Sequence, residues 1–356
     1  MKSNGVRKLV LAAAATLLLG AQAASAGVLT ATLEPQKSNL DKSDDAVFSF
    51  TLSNESNRDL WVLGRETPLQ GIQGNLFDVR LNGQPVAYTG RLYKWGRPVA
   101  ADYIRIPAGG SVSATIELSS VYEMAHTGEY SFQYRVPAAR AIRGLGAKVA
   151  AAAGIESIDS NVAYLGVERD ENLAPAFAVD MADDKALTPS YVSCSSSRQS
   201  TLVTALSNAQ TISQRARDYL NNLPTASRST DSAYRTWFGT YTSSRYSTVQ
   251  SHYTNIYSTF ATKTVTFYCD CTDSSYAYVF ANQPYRIHLC GAFWAAPMTG
   301  IDSKAGTLVH ETSHFTVVAG TQDYAYGTSA CQSLAISNPS RAISNADSHE
   351  YFAETR

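Results

Sequence analysis

Near the C-terminal end of this 356-residue chain stands His310-Glu311-Thr-Ser-His314. Two histidines four positions apart on a helix share one face, one turn above the other, and can grip a single zinc ion. Glu311 then projects beside that ion as a general base. Leu308, Val309, Phe315, Val317 and Val318 give the segment a helical apolar pattern, and Gly320 is a natural C-terminal stop. A catalytic zinc needs three protein ligands and a position open to water. Spacing alone leaves the third ligand open. Glu350 and Glu354 suit a gluzincin arrangement, and Asp323 follows a glycine turn that lets the chain fold back. A metzincin would need glycine at 317 and histidine at 320, where this chain has Val317 and Gly320. The plainer alternative is an amphipathic helix with two surface histidines.

A longer pattern narrows the choice. His310-Glu311-x-x-His314 followed by Gly320-Thr321-x-Asp323-x-x-Tyr326-Gly327 resembles the paired signature of the deuterolysin family, the aspzincins. The resemblance covers roughly Ser190 to Arg356. It implies a zinc metalloendopeptidase with one zinc held by His310, His314 and Asp323, with Glu311 as base and Tyr326 stabilising the transition state. Asn345-Ala346-Asp347-Ser-His-Glu350-Tyr351-Phe352 resembles the peptidyl-Lys branch of the family. There, two acidic residues at this spacing line the pocket for the residue after the scissile bond. On a helix Asp347 and Glu350 stand at i, i+3 and share a face, and two confined carboxylates favour a lysine ammonium. The same two residues also fit an N-terminal capping box. His349 is assigned no role, and His252 and His288 read as structural or surface residues.

The chemistry expected is peptide hydrolysis. Bound zinc acidifies its water to a pKa of about 7. Glu311 takes the proton during attack and can pass it to the leaving amine, while the Tyr326 hydroxyl stabilises the oxyanion. Two other readings remain: an aspzincin of broad specificity with Asp347 and Glu350 as helix caps, and a secreted binding protein with a structural zinc. The last has no need of Glu311, and a structural site normally closes its fourth position.

These residues must be positioned by a sizeable C-terminal domain. Helical spacing runs from Arg198 to about Leu223 and from Ser232 to about Ala261, with short strands at Thr264–Tyr268, Tyr276–Phe280 and Arg286–Leu289. Zinc peptidases hold substrate by main-chain pairing to an edge strand, a part that Arg286–Leu289 or the Gly291–Trp294 region could serve. All five cysteines lie in this half. Cys269 and Cys271 are too close in sequence to be natural partners. The resemblance implies Cys194–Cys269 and Cys271–Cys290, leaving Cys331 as a buried apolar thiol. A zinc–thiolate site is the alternative, and the absence of a C-x-x-C pair speaks against it.

Ahead of this domain the pattern changes. Val28–Leu33, Ala46–Leu52, Phe77–Leu81, Ser111–Ile116 and Tyr130–Val136 alternate apolar and polar residues, punctuated by turns such as Asn82-Gly83. Short strands at this spacing predict an immunoglobulin-like β-sandwich. It carries no catalytic cluster, and His126, its only histidine, reads as structural. Residues 138–155 are rich in Ala and Gly, a weak helix or linker, after which Val162–Val167 could rejoin the sandwich. The polar, proline-marked stretch 168–190 reads as a domain boundary.

The organisation expected is therefore a signal peptide over 1–26, a propeptide over 27–184 and a mostly helical α+β zincin-like protease domain over 185–356. Lys2, Arg7 and Lys8, the apolar run Leu9–Leu19 and Ala24-Ser-Ala26 make the secretory signal, and export favours disulfides. The propeptide is read as an intramolecular inhibitor or folding helper. A pocket for lysine makes Asp184–Lys185 in the linker a candidate self-processing bond. After Lys185 the chain has only Lys263 and Lys304, which would spare such an enzyme from itself. A net charge of −1 excludes a phosphate-neutralising nucleic-acid binder. No apolar run is long enough for a membrane span. The chain reads as a secreted, extracellular monomer acting on proteins or peptides. A toxin and a nutrient-scavenging protease would look alike.

Overall fold

The computed structural model describes residues 29–41, 43–145, 154–169 and 188–356. The signal segment, the Asp184–Lys185 bond and residues 146–153 of the Ala/Gly-rich stretch lie outside these residues.

The N-terminal region is built of β1 (Leu29–Pro35), β2 (Asn39–Leu40), β3 (Val47–Asn54), β4 (Leu60–Leu63), β5 (Phe77–Leu81), β6 (Gln84–Pro85), β7 (Arg91–Lys94), β8 (Tyr103–Ile106), β9 (Ser111–Glu117), β10 (Gly128–Pro137), the short helix α1 (Ala138–Ala141), β11 (Ser157–Asp159) and β12 (Ala163–Val167). One sheet runs β1-β3-β9 and a second β2-β12-β10-β5-β6, with β11 beside β10. The alternation in β3 and β10 explains why they pack. Phe48 and Phe50 point inward from the first sheet and meet Phe132 and Tyr134 of the second at ring separations of 4.8 and 5.0 Å. Around them lies a core with Leu33, Leu52, Val79 and Leu165. The turn expected at Asn82-Gly83 joins β5 to β6, both residues having positive φ.

The C-terminal region continues with β13 (Ser190–Val192), α2 (Ser196–Asn222), α3 (Ser232–Phe238), α4 (Ser243–Thr262), β14 (Thr266–Tyr268), β15 (Ala277–Phe280), β16 (Arg286–Leu289), α5 (Gly291–Ala295), α6 (Lys304–His314), α7 (Thr328–Ser337), α8 (Pro339–Ala342) and α9 (Ala346–Glu354). Ser195, Asp231 and Thr242 cap α2, α3 and α4 through side-chain oxygens that accept backbone N–H groups. The single helix expected over Ser232–Ala261 is two, broken at Gly239. Disulfides Cys194–Cys269 and Cys271–Cys290 tie β13 to β14 and fasten the segment that carries β15. Cys331 is free and buried.

One strand crosses between the two regions. The C-terminal sheet has the order β13-β14-β16-β15-β7, so β7 of the N-terminal region completes it. β7 runs antiparallel to β15, pairing Ala277 with Lys94, Tyr278 with Tyr93, Val279 with Leu92 and Phe280 with Arg91. Leu92 is buried in the C-terminal core rather than in the sandwich. This corrects the edge-strand expectation. Arg286–Leu289 is an interior strand between β14 and β15, and Gly291–Ala295 is a helix. β15 has the open edge, and β7 fills it.

Candidate active site

The centre is assembled by α6, α9 and the loop between α6 and α7. All eleven residues of α6 are buried. Ser303 caps the helix by accepting the Gly306 N–H at 2.9 Å, and Glu354 of α9 accepts the Ser303 N–H at 3.0 Å and its hydroxyl at 2.7 Å. Gly306 allows this close approach: a Cβ there would meet Glu354 Oε1 at 1.9 Å. The helix ends at His314, earlier than the apolar pattern suggested, and Val317 is half exposed. Gly320, at φ +59°, turns the chain back. That turn brings Thr321 beside His314, whose Nδ1 lies 2.9 Å from the Thr321 carbonyl oxygen. Donation from Nδ1 to that carbonyl leaves Nε2 bare and facing inward.

His310 is placed similarly. Its Nδ1 stands 2.8 Å from Asp347 Oδ1, leaving Nε2 toward the centre. The two Nε2 atoms are 3.2 Å apart, and Asp323 Oδ1 lies 3.4 and 3.5 Å from them. Ligand atoms at about 2.0 to 2.1 Å on a tetrahedral ion stand about 3.3 Å apart, so this triangle suits zinc. Asp323 Oδ1 is buried without a hydrogen-bond partner. Burial lowers the pKa of His310, but Asp323, Asp347 and Glu350 outweigh it and hold the ring well above the ordinary histidine range. The cluster calls for a positive charge at its centre, as a metal would supply. Glu311 is fully buried, both its oxygens lack partners, and burial pushes its pKa up to about 8.

The loop carrying Asp323 and Tyr326 is pinned by Asn345, whose side-chain oxygen accepts the Tyr324 and Ala325 N–H groups at 2.9 Å each. Asn345 also lies against Cys331 and Ser348. From the N-terminal region, Arg140 donates to the carbonyls of Asp323 and Tyr324 at 2.9 and 3.2 Å and pairs with Glu66 at 2.6 Å. The Tyr326 hydroxyl donates to the Tyr93 carbonyl at 2.9 Å.

Asp347 and Glu350 are both buried in α9 and face the centre. Neither caps the helix: Asn345 is the N-cap residue, and Asp347 Oδ2 accepts the Gly327 N–H at 2.6 Å. Between them sits the ammonium of Lys94, 2.7 Å from Glu350 Oε2 and 3.8 Å from Asp347 Oδ1. A third carboxylate, Asp302, is 3.3 Å away on the more open side. Tyr276 and Tyr351 offer their ring faces at 4.9 and 5.8 Å. Burial opposes the charge on Lys94, yet Glu350, Asp347 and Asp302 hold its pKa well above the ordinary value. The sequence reading missed Lys94, Asp302, Asn345 and Arg140. Of these only Asn345 carried a signal, standing in the motif quoted for α9.

Two expectations about histidine find simple places. His288 stacks between Tyr268 and Tyr278 at 4.3 and 4.4 Å. His252 Nδ1 lies 3.0 Å from His349 Nε2, away from the His310, His314 and Asp323 triangle. Burial holds both of that pair low, at about 4 and about 3.

The chain is similar to several known proteins. A family model described as "Lysine-specific metallo-endopeptidase", of the aspzincins, matches residues 223–354. The chain is 38% identical over 312 residues to an "Extracellular protease" of Aeromonas hydrophila, covering 87% of this chain and 88% of that protein. It is 54% identical over 166 residues to a "Peptidyl-Lys metalloendopeptidase" of Armillaria mellea, covering 46% of each. Among solved structures, a zinc peptidase from Grifola frondosa matches with 50% identity and a TM-score of 0.43, over 46% of this chain and 97% of that one. With its paired motifs folded into one buried centre and a relative matched over most of its length, this chain belongs to the aspzincin family of zinc metalloendopeptidases.

Proposed function

We propose that this endopeptidase cuts peptide bonds on the N-terminal side of lysine. One observation carries the reading: a lysine ammonium lies 2.7 Å from Glu350 while Tyr326 bonds the carbonyl of the residue before it. His310, His314 and Asp323 are the zinc ligands in this reading. Zinc there supplies a Lewis acid that activates water and polarises the scissile carbonyl. Glu311, buried and unpaired, accepts the water's proton and delivers it to the departing lysine nitrogen. The Tyr326 hydroxyl donates to the carbonyl oxygen as it gains charge. Asp347 holds His310 through Nδ1 and, with Glu350, attracts the ammonium. An uncharged side chain in that pocket leaves buried carboxylates unpaired, which selects against it.

The N-terminal β-rich region is the propeptide in this proposal, an immunoglobulin-like sandwich that inhibits or chaperones the rest. The chain is exported and acts outside the cell as a monomer, a reading supported by the signal-like residues 1–26 and by the name of the Aeromonas relative. The mature form begins at Lys185, freed by cleavage of the Asp184–Lys185 bond. N-terminal sequencing of the secreted form checks that site, and a start elsewhere refutes it. The specificity is tested by mapping cuts in a denatured protein treated with wild type and with Glu311→Ala. Cuts confined to bonds before lysine, absent with the variant, are expected. Cuts at many residue types would leave the zinc peptidase and remove the lysine pocket.

A further inference from the structure

One face of the C-terminal sheet carries a row of aromatic rings that strand register brings together. Tyr268 of β14 pairs with His288 of β16, and His288 pairs with Tyr278 of β15. The rings stack at 4.3 and 4.4 Å, with planes 19° and 4° apart. His288 reaches Tyr278 from β16, on one side of β15. From the other side the Arg91 guanidinium lies over the Tyr278 ring at 4.6 Å, and the Tyr93 ring leans on it at 5.2 Å. Arg91 also donates to the Tyr93 hydroxyl at 3.1 Å. Burial holds the pKa of His288 down to about 4, so its ring is uncharged near neutral pH. An uncharged column of stacked rings presents a π face at its end and does not repel a cation there.

In the proposed reaction a lysine enters between Asp347 and Glu350, and Tyr326 meets the carbonyl before it. Those two contacts fix where a substrate lies along β15. Paired as β7 is, it sets the residue before the lysine opposite Tyr278. Alternation then turns the third residue before the lysine to the same face. We propose that the Tyr268–His288–Tyr278 row is a second specificity subsite, taking a guanidinium side chain three residues before the scissile lysine. The proposal rests on the lysine-pocket reading for its register. It adds a preference that the acidic pocket cannot impose, because that pocket touches only the residue after the bond. A planar guanidinium suits the flat end of the column better than a compact, strongly hydrated ammonium. Asp273 adds a general attraction for a cation at this place.

The active enzyme from culture medium, loaded with zinc, is given quenched peptides that differ at one residue. Each contains X-Leu-Tyr-Lys, with X as arginine, glutamine or glutamate. For the arginine peptide kcat/KM should exceed that for glutamine about 3- to 10-fold, chiefly through KM, and glutamate should be the poorest. Tyr278→Leu should bring the arginine-to-glutamine ratio to about one, and Tyr278→Phe, which keeps a ring, should preserve it. The ratio is taken within one preparation, so it does not depend on how much of a variant folds. Asp273 is present in both variants. A ratio that survives Tyr278→Leu therefore assigns the preference to charge alone and overturns the aromatic subsite. Equal rates for arginine and glutamine in wild type, with cuts before lysine, overturn it as well and leave the lysine pocket standing. Cuts at other bonds in every peptide overturn the lysine reading, and the subsite loses its register with it.

Discussion

Each of the three atoms that meet at the centre is aimed by a neighbour. Thr321 fixes His314, Asp347 fixes His310, and the Asn345-pinned loop presents Asp323. Such supporting contacts set ligand geometry, so Asp347→Asn should lower zinc affinity about 10- to 100-fold as well as weaken lysine preference. A zinc titration beside peptide mapping separates the two effects. Tyr326→Phe should keep zinc and cut kcat about 100-fold if, as proposed, its hydroxyl is an oxyanion donor. Asp302 stands at the partly open side of the pocket, so Asp302→Asn should raise KM for lysine peptides only about 2- to 5-fold, with kcat unchanged. The zinc motif was legible because its residues are neighbours along one helix and one turn. Lys94 and Asp302 were not, because only strand pairing and the approach of α9 bring them to the pocket.

Among the elements, α6 depends on its fit against α9. Gly306→Ala would drive a methyl into Glu354, and its melting temperature should fall by an amount equivalent to about 1 to 3 kcal/mol. Activity should fall with it, because Glu354 and Glu350 share that contact. The Cys271–Cys290 bridge fastens the chain entering β15 to the end of β16. Changing both to serine should cost about 2 to 4 kcal/mol in denaturant unfolding and, if a substrate strand pairs with β15 as β7 does, raise KM. Periodicity located most strands and helices, yet it overran the end of α6, where Phe315, Val317 and Val318 are apolar but lie in a turn. It also misplaced the edge strand. Ala277-Tyr-Val-Phe280 is mostly buried on both faces, so nothing in its pattern announces a free edge.

Across the whole molecule, the N-terminal region is joined to the zinc centre by backbone, charge and apolar contacts together: β7 in the sheet, Lys94 in the pocket, Leu92 in the core and Arg140 on the Asp323 loop. The sequence read this region as a separate immunoglobulin-like sandwich, and the structure shows a β-rich region in which two sheets pack through Phe48, Phe50, Phe132 and Tyr134. The exception, Arg91-Leu-Tyr-Lys94, has no alternation that would mark it as belonging elsewhere. Lysine scarcity beyond residue 188 now has a structural complement. Lys304 is buried with its ammonium donating to the Trp294 and Ala296 carbonyls, so it is shielded from a neighbouring molecule's site. Metal also bears on the whole fold. Stripping zinc with a chelator should abolish cleavage and lower the melting temperature, because an ion bound only by the folded state stabilises it by mass action. Added zinc should restore both.

The pairing of β7 with β15 has a further consequence for solubility. An unpaired edge strand with apolar neighbours is a template for other chains. While β7 is in place, β15 presents no bare row of N–H and C=O groups. Were the N-terminal region removed, the same row would be open to any extended chain, including another copy of this one. The freed protein should therefore cluster as its concentration rises, and a short lysine-containing peptide lying along β15 should disperse it.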